Sequence, residues 1–396
     1  CFTRYSGATM PHKRIAVIGQ PGAINGCFEK TSEQLFKECG LNTGNLAFWY
    51  AMNRHIEGNK SFLGWGVKPE FLKNNFDAVV FPAANQLNPD WDMSILADLF
   101  EKADLPLIIC GLGVQAKNIT EKPQFKPGSK RFMKVISERA VSVGVRGEFT
   151  AEVMQANGVN NVEVIGCPSN FISCEENLGI LQERQLRSLS QIDTLALNLD
   201  ITESMSDLMR TAFSWGQQRN AMYVNQAPEA LVKMANGDFS AVEQGTINRI
   251  HNILCPQLTM ADFKQFVKSQ FKVFFSAAEW MNQLRSVDLS VGTRMHGNML
   301  AWQTKTPCIL FPHDSRTHEL ADLMQLPYVM SNQITANAPL EDVLQKVNFN
   351  GVKYDQRRAL LLDKYVSLLS RSNVDINPAL RQLHSSLTGN KEHIAA

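Results

Sequence analysis

The segment Ser290–Gly297, SVGTRMHG, holds the residue types and spacing best suited to chemistry on an anion. A strand pattern ends at Val291, a Gly-Thr turn follows, and a helical pattern begins near Gly297. In open α/β sheets ligands sit at the carboxyl ends of strands, where loops meet helix N-termini. Such a terminus offers unpaired N–H groups and a positive dipole end. Arg294 adds a permanently charged fork that fits carboxylate or phosphate. His296 falls on the same side if the segment stays extended, and imidazole exchanges a proton near neutral pH. The alternative is structural: Arg294 pairs with a carboxylate and His296 caps the helix.

A second junction of this kind is Val143–Glu148, VGVRGE, where Arg146 ends a strand pattern just before a helical one. One basic residue at a strand end is usually structural. Two such ends, one in each half of the chain, could face each other across a cleft and hold a ligand with two anionic groups. A third cluster, Phe311–His318 (FPHDSRTH), places His313, Asp314, Arg316 and His318 together. Its spacing fits no regular metal-ligand pattern, so no metal is expected, and its positive charge adds to the anion field.

Other signals are weaker. Gly111–Gln115 (GLGVQ) lacks the third glycine and the distant acid of a dinucleotide fingerprint, and no P-loop sequence occurs. The turn Asn42–Asn45 (NTGN), with Gly44, lets backbone approach a ligand closely or simply reverses the chain. Trp49, Trp65 and Trp91 could stack on sugar rings, although tryptophans more often fill cores.

The elements that would position these residues alternate in type. Strand patterns cover 14–19, 77–81, 105–110, 141–145 and 161–165 in the first half, then 194–199, 271–275, 289–291 and 308–311 in the second. Helical patterns lie between them, which implies crossover units and parallel sheets covered on both faces. Residues 225–257 are polar and poorly patterned. Leu repeats at helical spacing over Gln356–Leu369, so Leu360, Leu361, Val366 and Leu369 should pack on the body. The division expected is 1–185, 186–345 and a helical segment 346–396.

With 396 residues, 39 Lys plus Arg against 38 Asp plus Glu, and a hydrophobic fraction of 44%, the chain has ample material for two cores and no general pull toward nucleic acid. Its 8 cysteines form no CxxC pair, which suits a reducing cytoplasm. The opening CFTRYSGATMPHKR lacks the apolar run of a secretory signal.

On NTGN, LPLIICGLGVQ, SVGVRGEFTAEVMQANGVNNVEVIGCPS and DLSVGTRMHGNMLAWQTKTPCILFPHDSRTHELADLMQLP, the chain resembles the polysaccharide pyruvyl transferase family. The resemblance implies two Rossmann-like lobes similar to the GT-B glycosyltransferases, with the active site in the cleft between them. It also implies transfer of a pyruvyl group from phosphoenolpyruvate to a sugar hydroxyl pair of a polysaccharide or its precursor, as a cyclic ketal. By position, Arg146, Arg294 and His296 become donor-site residues, with Gly297, Asn42 and Gly44 lining the substrate. Cys167 stands where the family often has Asp, and Arg316 where it commonly has Lys. His296 is then expected to be a general acid/base with a near-neutral pKa, and the arginines to stabilise the anion without a cofactor. A lipid-linked acceptor would bring the protein to the membrane surface. Two other functions stay open: a GT-B-like glycosyltransferase using a nucleotide sugar, and a non-catalytic carbohydrate-binding protein.

Overall fold

The runs AVVFP and LIICGL are buried at every position, as parallel strands covered by helices on both faces must be. They are strands β3 (Ala78–Pro82) and β4 (Leu107–Leu112) of a sheet that also holds β1 (Arg14–Ile18), β2 (Asn59–Leu63), β5 (Ala140–Val145) and β6 (Val162–Val164). This computed structural model describes residues 14–116 and 122–389. The opening segment and both outer limits of the expected division, 1 and 396, therefore lie outside the described residues. The second sheet comprises β7 (Thr194–Leu197), β8 (Asn220–Val224), β9 (Phe271–Lys272), β10 (Leu289–Gly292) and β11 (Cys308–Leu310).

Among the described residues every pairing between these named strands is parallel. The orders are β2-β1-β3-β4-β5-β6 and β11-β10-β7-β8-β9. Each order reverses direction once, between β1 and β3 in the first lobe and between β7 and β10 in the second. Chains of this type leave a crevice at that reversal, outside the carboxyl ends of the strands. The architecture is thus two doubly wound α/β lobes, as the alternation of patterns implies.

Alternation along the strands sorts the side chains into three cores. Ile15 and Val17 of β1 face one core, while Ala16 and Ile18 face another. In the second lobe Ala196 joins the same core as Ile15, whereas Leu195 and Leu197 face away. The inner core is therefore shared by both lobes. Helices Asn45–His55 and Met295–Gln303 fill it, with Trp49, Trp280 and Trp302 almost fully buried. Backbone hydrogen bonds also cross between lobes: Ile24 N–H donates to Phe275 O (2.8 Å), Ala277 N–H to Gly22 O (2.8 Å) and Thr43 N–H to Gln226 O (3.1 Å).

The long helix Gly351–Arg371 returns to the first lobe and packs on β5 and β6. Leu361, Leu362, Val366 and Leu369 are buried, but Leu360 is 49% exposed. The expectation for Leu360 was wrong by one position, because of three consecutive leucines the helix turns only the latter two inward. Arg358 of this helix is fully buried and donates to the carbonyls of Asn170 (3.1 Å), Ser173 and Glu175. It thereby fixes the segment after Cys167. Residues 225–257 hold two α-helices, Glu229–Ala235 and Gln244–Leu254, joined through a short 3-10 turn at Phe239–Ala241, and each α-helix buries an apolar face. Among the described residues no helix is long and apolar enough to cross a membrane.

Candidate functional site

Both chain reversals open on one cleft of about 580 Å³, counted out to open solvent. The first lobe contributes Asn42, Asn45, Asn85 and Arg146, and the second Asp200, Gln226, Thr293, Arg294, His296, His313 and Arg316.

Arg146 emerges from β5. Gly113 makes room for it, since a Cβ there would lie 3.3 Å from Arg146 Cδ and 3.0 Å from Asn85 Oδ1. That close approach is the use of the GLG turn after β4, in place of dinucleotide binding. The guanidinium donates to Asn85 Oδ1 (3.3 Å) and Ala83 O (3.4 Å), lies 5.6 Å over the Phe48 ring, and leaves Nε unpaired. It is 8% exposed, and among the described residues no carboxylate pairs with it. Burial pulls its pKa below the usual range, and Arg316 adds to the pull.

Arg294 caps the helix Met295–Gln303 from extended backbone. Its guanidinium pairs with Asp200 and donates to Ala227 O (3.2 Å). A buried polar network holds the turn that carries it. Asn198 Nδ2 donates to Ser290 Oγ (3.0 Å), Ser290 Oγ to Asn298 Oδ1 (2.8 Å), and Asn298 Nδ2 to the carbonyls of Gly292 (3.1 Å) and Arg294 (3.0 Å). Such fully satisfied networks rigidify a site.

The helix begins at Met295, two residues earlier than the pattern indicates, so His296 lies in its first turn and not in an extended strand end. Its ring packs 5.4 Å from Phe48, and Nε2 lies 3.6 Å from Cys167 Sγ, which also contacts Ser169 Oγ (3.0 Å). The near-neutral pKa expected for His296 does not hold in this surrounding. Burial, with Arg146, Arg316 and Arg294 nearby, pushes it down to about 3. Among these guanidiniums His296 is a neutral imidazole, because a fourth positive charge beside them is unfavourable.

The other sequence candidates separate. Gly297 does not line the cleft: a Cβ there would fall 2.0 Å from Asn198 Oδ1, so glycine lets helix and strand loop meet. Gly44 sits behind Asn42, whose Oδ1 accepts its N–H (2.9 Å), and packs against Gln226. In the third cluster, His313 and Arg316 reach the cleft. Asp314 caps helix Ser315–Leu323 and pairs with Arg316 (2.8 Å), while His318 bonds the Tyr328 hydroxyl (3.1 Å). Trp49 is core, and Trp65 and Trp91, 37% and 50% exposed, lie outside the cleft lining. Cys110 and Cys308 are buried, which pushes their thiol pKa values up. Sequence reasoning missed Asn85, Asp200, Gln226 and Thr293. The signal was a polar residue just past an apolar strand run, as in AVVFPAAN, TLALNLD and AMYVNQ.

The sequence profile of the polysaccharide pyruvyl transferase family matches residues 42–315, well over half of the chain. No curated protein matches the chain significantly. Among solved structures, the chain is similar to S. aureus MnaA bound to UDP, at 10% identity over 97% of this chain and 98% of that one, TM-score 0.43. It is also similar to the UDP-N-acetylglucosamine 2-epimerase of Rickettsia bellii, at 12% identity over 92% and 97%, TM-score 0.44. A third is Anabaena HepE in complex with UDP and glucose, at 11% identity over 97% and 100%, TM-score 0.45.

Proposed function

The chain belongs to the polysaccharide pyruvyl transferase family, and from that premise we propose that its cleft moves the pyruvyl group of phosphoenolpyruvate onto two hydroxyls of a polysaccharide or its precursor, as a ketal. The observation that carries this reading is Arg146, a buried guanidinium without a carboxylate, in a cleft that also holds Arg294 and Arg316. A buried charge is stable only when paired, and phosphoenolpyruvate brings both a carboxylate and a phosphate.

The first sugar hydroxyl adds across the donor double bond, its oxygen to C2 and its proton to C3, which becomes a methyl group. The C2–O bond to phosphate then breaks, phosphate leaving with the electron pair, and the second hydroxyl attacks C2. Its proton ends on the released phosphate. A neutral His296 suits the first step: it takes the hydroxyl proton and passes it to C3, and the bound anion stabilises the imidazolium in between. The arginines hold the carboxylate and the leaving phosphate. No oxidation or reduction occurs, so the chain's own groups suffice.

Calorimetry with phosphoenolpyruvate and with UDP tests the donor. Phosphoenolpyruvate should bind the parent protein and bind more weakly after Arg146→Lys. Binding of UDP alone would replace this reading with a nucleotide-sugar transferase.

A further inference from the structure

Two hydroxyl protons must move in that reaction, and His296 accounts for one. Of the histidines among the described residues, four have a ring nitrogen tied to a structural oxygen: His55 to Tyr365 and Phe171, His251 to Leu258, His318 to Tyr328 and His384 to Asp363. His296 and His313 are not so tied, and both line the cleft. His313 follows β11. Its Nε2 lies 3.9 Å from Asp200 Oδ2 and 4.0 Å from Asp314 Oδ2, too far for a hydrogen bond. Its Nδ1 has no partner. Asp200 stands between Arg294 and His313, so the anion-holding arginine and this imidazole share one carboxylate.

We propose that His313 is the second proton-transfer residue: its Nε2 gives a proton to the phosphate oxygen as the C2–O bond breaks, and then takes the proton of the second sugar hydroxyl as that hydroxyl attacks C2. The division of labour is one histidine for each proton. This rests on the phosphoenolpyruvate reading above.

The test uses D₂O, phosphoenolpyruvate and two probes, a methyl hexopyranoside with free 4- and 6-hydroxyls and the same glycoside with its 4-hydroxyl methylated. The blocked probe allows addition but not ring closure. With the free diol, His313→Asn should add the first hydroxyl, wash deuterium into C3 through reversal, and release phosphate about 10²–10⁴-fold more slowly than the parent. It should behave as the parent does with the blocked probe. His296→Asn should lose both deuterium incorporation and phosphate release. His313→Gln, read with a melting curve, separates a folding defect from a chemical one. Parental phosphate release by both folded His313 variants overturns the proposal, as does loss of deuterium incorporation together with release. If the parent neither binds phosphoenolpyruvate nor incorporates deuterium at C3, the donor reading fails, a different result from any shown by the His313 variants alone.

Discussion

Ser142–Arg146 and Ser290–Arg294 read SVGVR and SVGTR, and each ends a strand at the mouth of the same cleft. The lobes treat the two arginines differently. Arg294 meets Asp200, so its charge is answered before any ligand arrives, whereas Arg146 meets only an amide, a carbonyl and an aromatic face. The contrast teaches that a motif fixes where a charge goes, while its neighbours decide whether that charge is already neutralised. In the second lobe the guanidinium is paired and held in place; in the first its Nε has no partner and no described carboxylate answers its charge.

The largest expected effect falls on the residue that joins the two regions. His296 belongs to the second lobe, but its ring touches Phe48 and Cys167 of the first. Asn keeps polarity but cannot exchange a proton. His296→Asn should therefore slow turnover about 10²–10⁴-fold while phosphoenolpyruvate affinity and melting temperature stay near parental. Joint loss of affinity and stability would make this histidine a structural link between lobes.

Lysine at either arginine keeps charge but loses the fork. Phosphoenolpyruvate affinity measured by calorimetry should fall by about 1–3 kcal/mol for each variant, and more for Arg146→Lys because no carboxylate competes for that position. A larger loss at Arg294 would invert the comparison. In the ligand-free protein the order reverses. Arg294→Met strands Asp200 and should cost about 1–3 kcal/mol in urea unfolding. Arg146→Met removes an unpaired buried charge and should be neutral or stabilising. Equal destabilisation by both would show that Arg146 has a partner in solution.

Acid titration makes a smaller, graded test. His55 and His296 are both held at about 3, chiefly by burial, against about 6.5 when unfolded. Below that value the unfolded chain binds protons that the folded one refuses. Stability should thus fall as pH drops from about 6.5 toward 3, by up to about 1.4 kcal/mol per unit for each group. His296→Asn should remove one of these contributions from the slope. The smallest effect is expected at Cys167, whose thiol makes only a weak contact with His296. Cys167→Ser should change stability and the activation barrier by about 1 kcal/mol or less.

The strands most legible in the sequence are β3 and β4, buried at every position, because their apolar runs are continuous. Two others gave no such signal: β2 (NKSFL) is a polar edge strand, and β8 (NAMYV) has a single β-branched residue. Helix Asn45–His55 hid for the opposite reason. Seven of its residues are buried between the lobes, so it has no clean polar face. In the site, the arginines and histidines stood out by type. Asn85, Asp200, Gln226 and Thr293 did not, because short polar residues after a strand are also ordinary turn formers. The depressed pKa of His296 comes first from burial and then from Arg146, Arg316 and Arg294; neither the burial nor the two arginines distant in sequence is reported by a local pattern.

The backbone bonds from Gly22, Ile24 and Thr43 into the second lobe, laid over a shared inner core, make the molecule one cooperative unit despite its two sheets. Neither lobe can leave without exposing apolar surface and unpaired amides. Heating should produce a single calorimetric transition, and each lobe expressed alone should aggregate. The same stitching opposes a hinge motion between the lobes, so a ligand should enter past side chains and loops at the rim of the cleft.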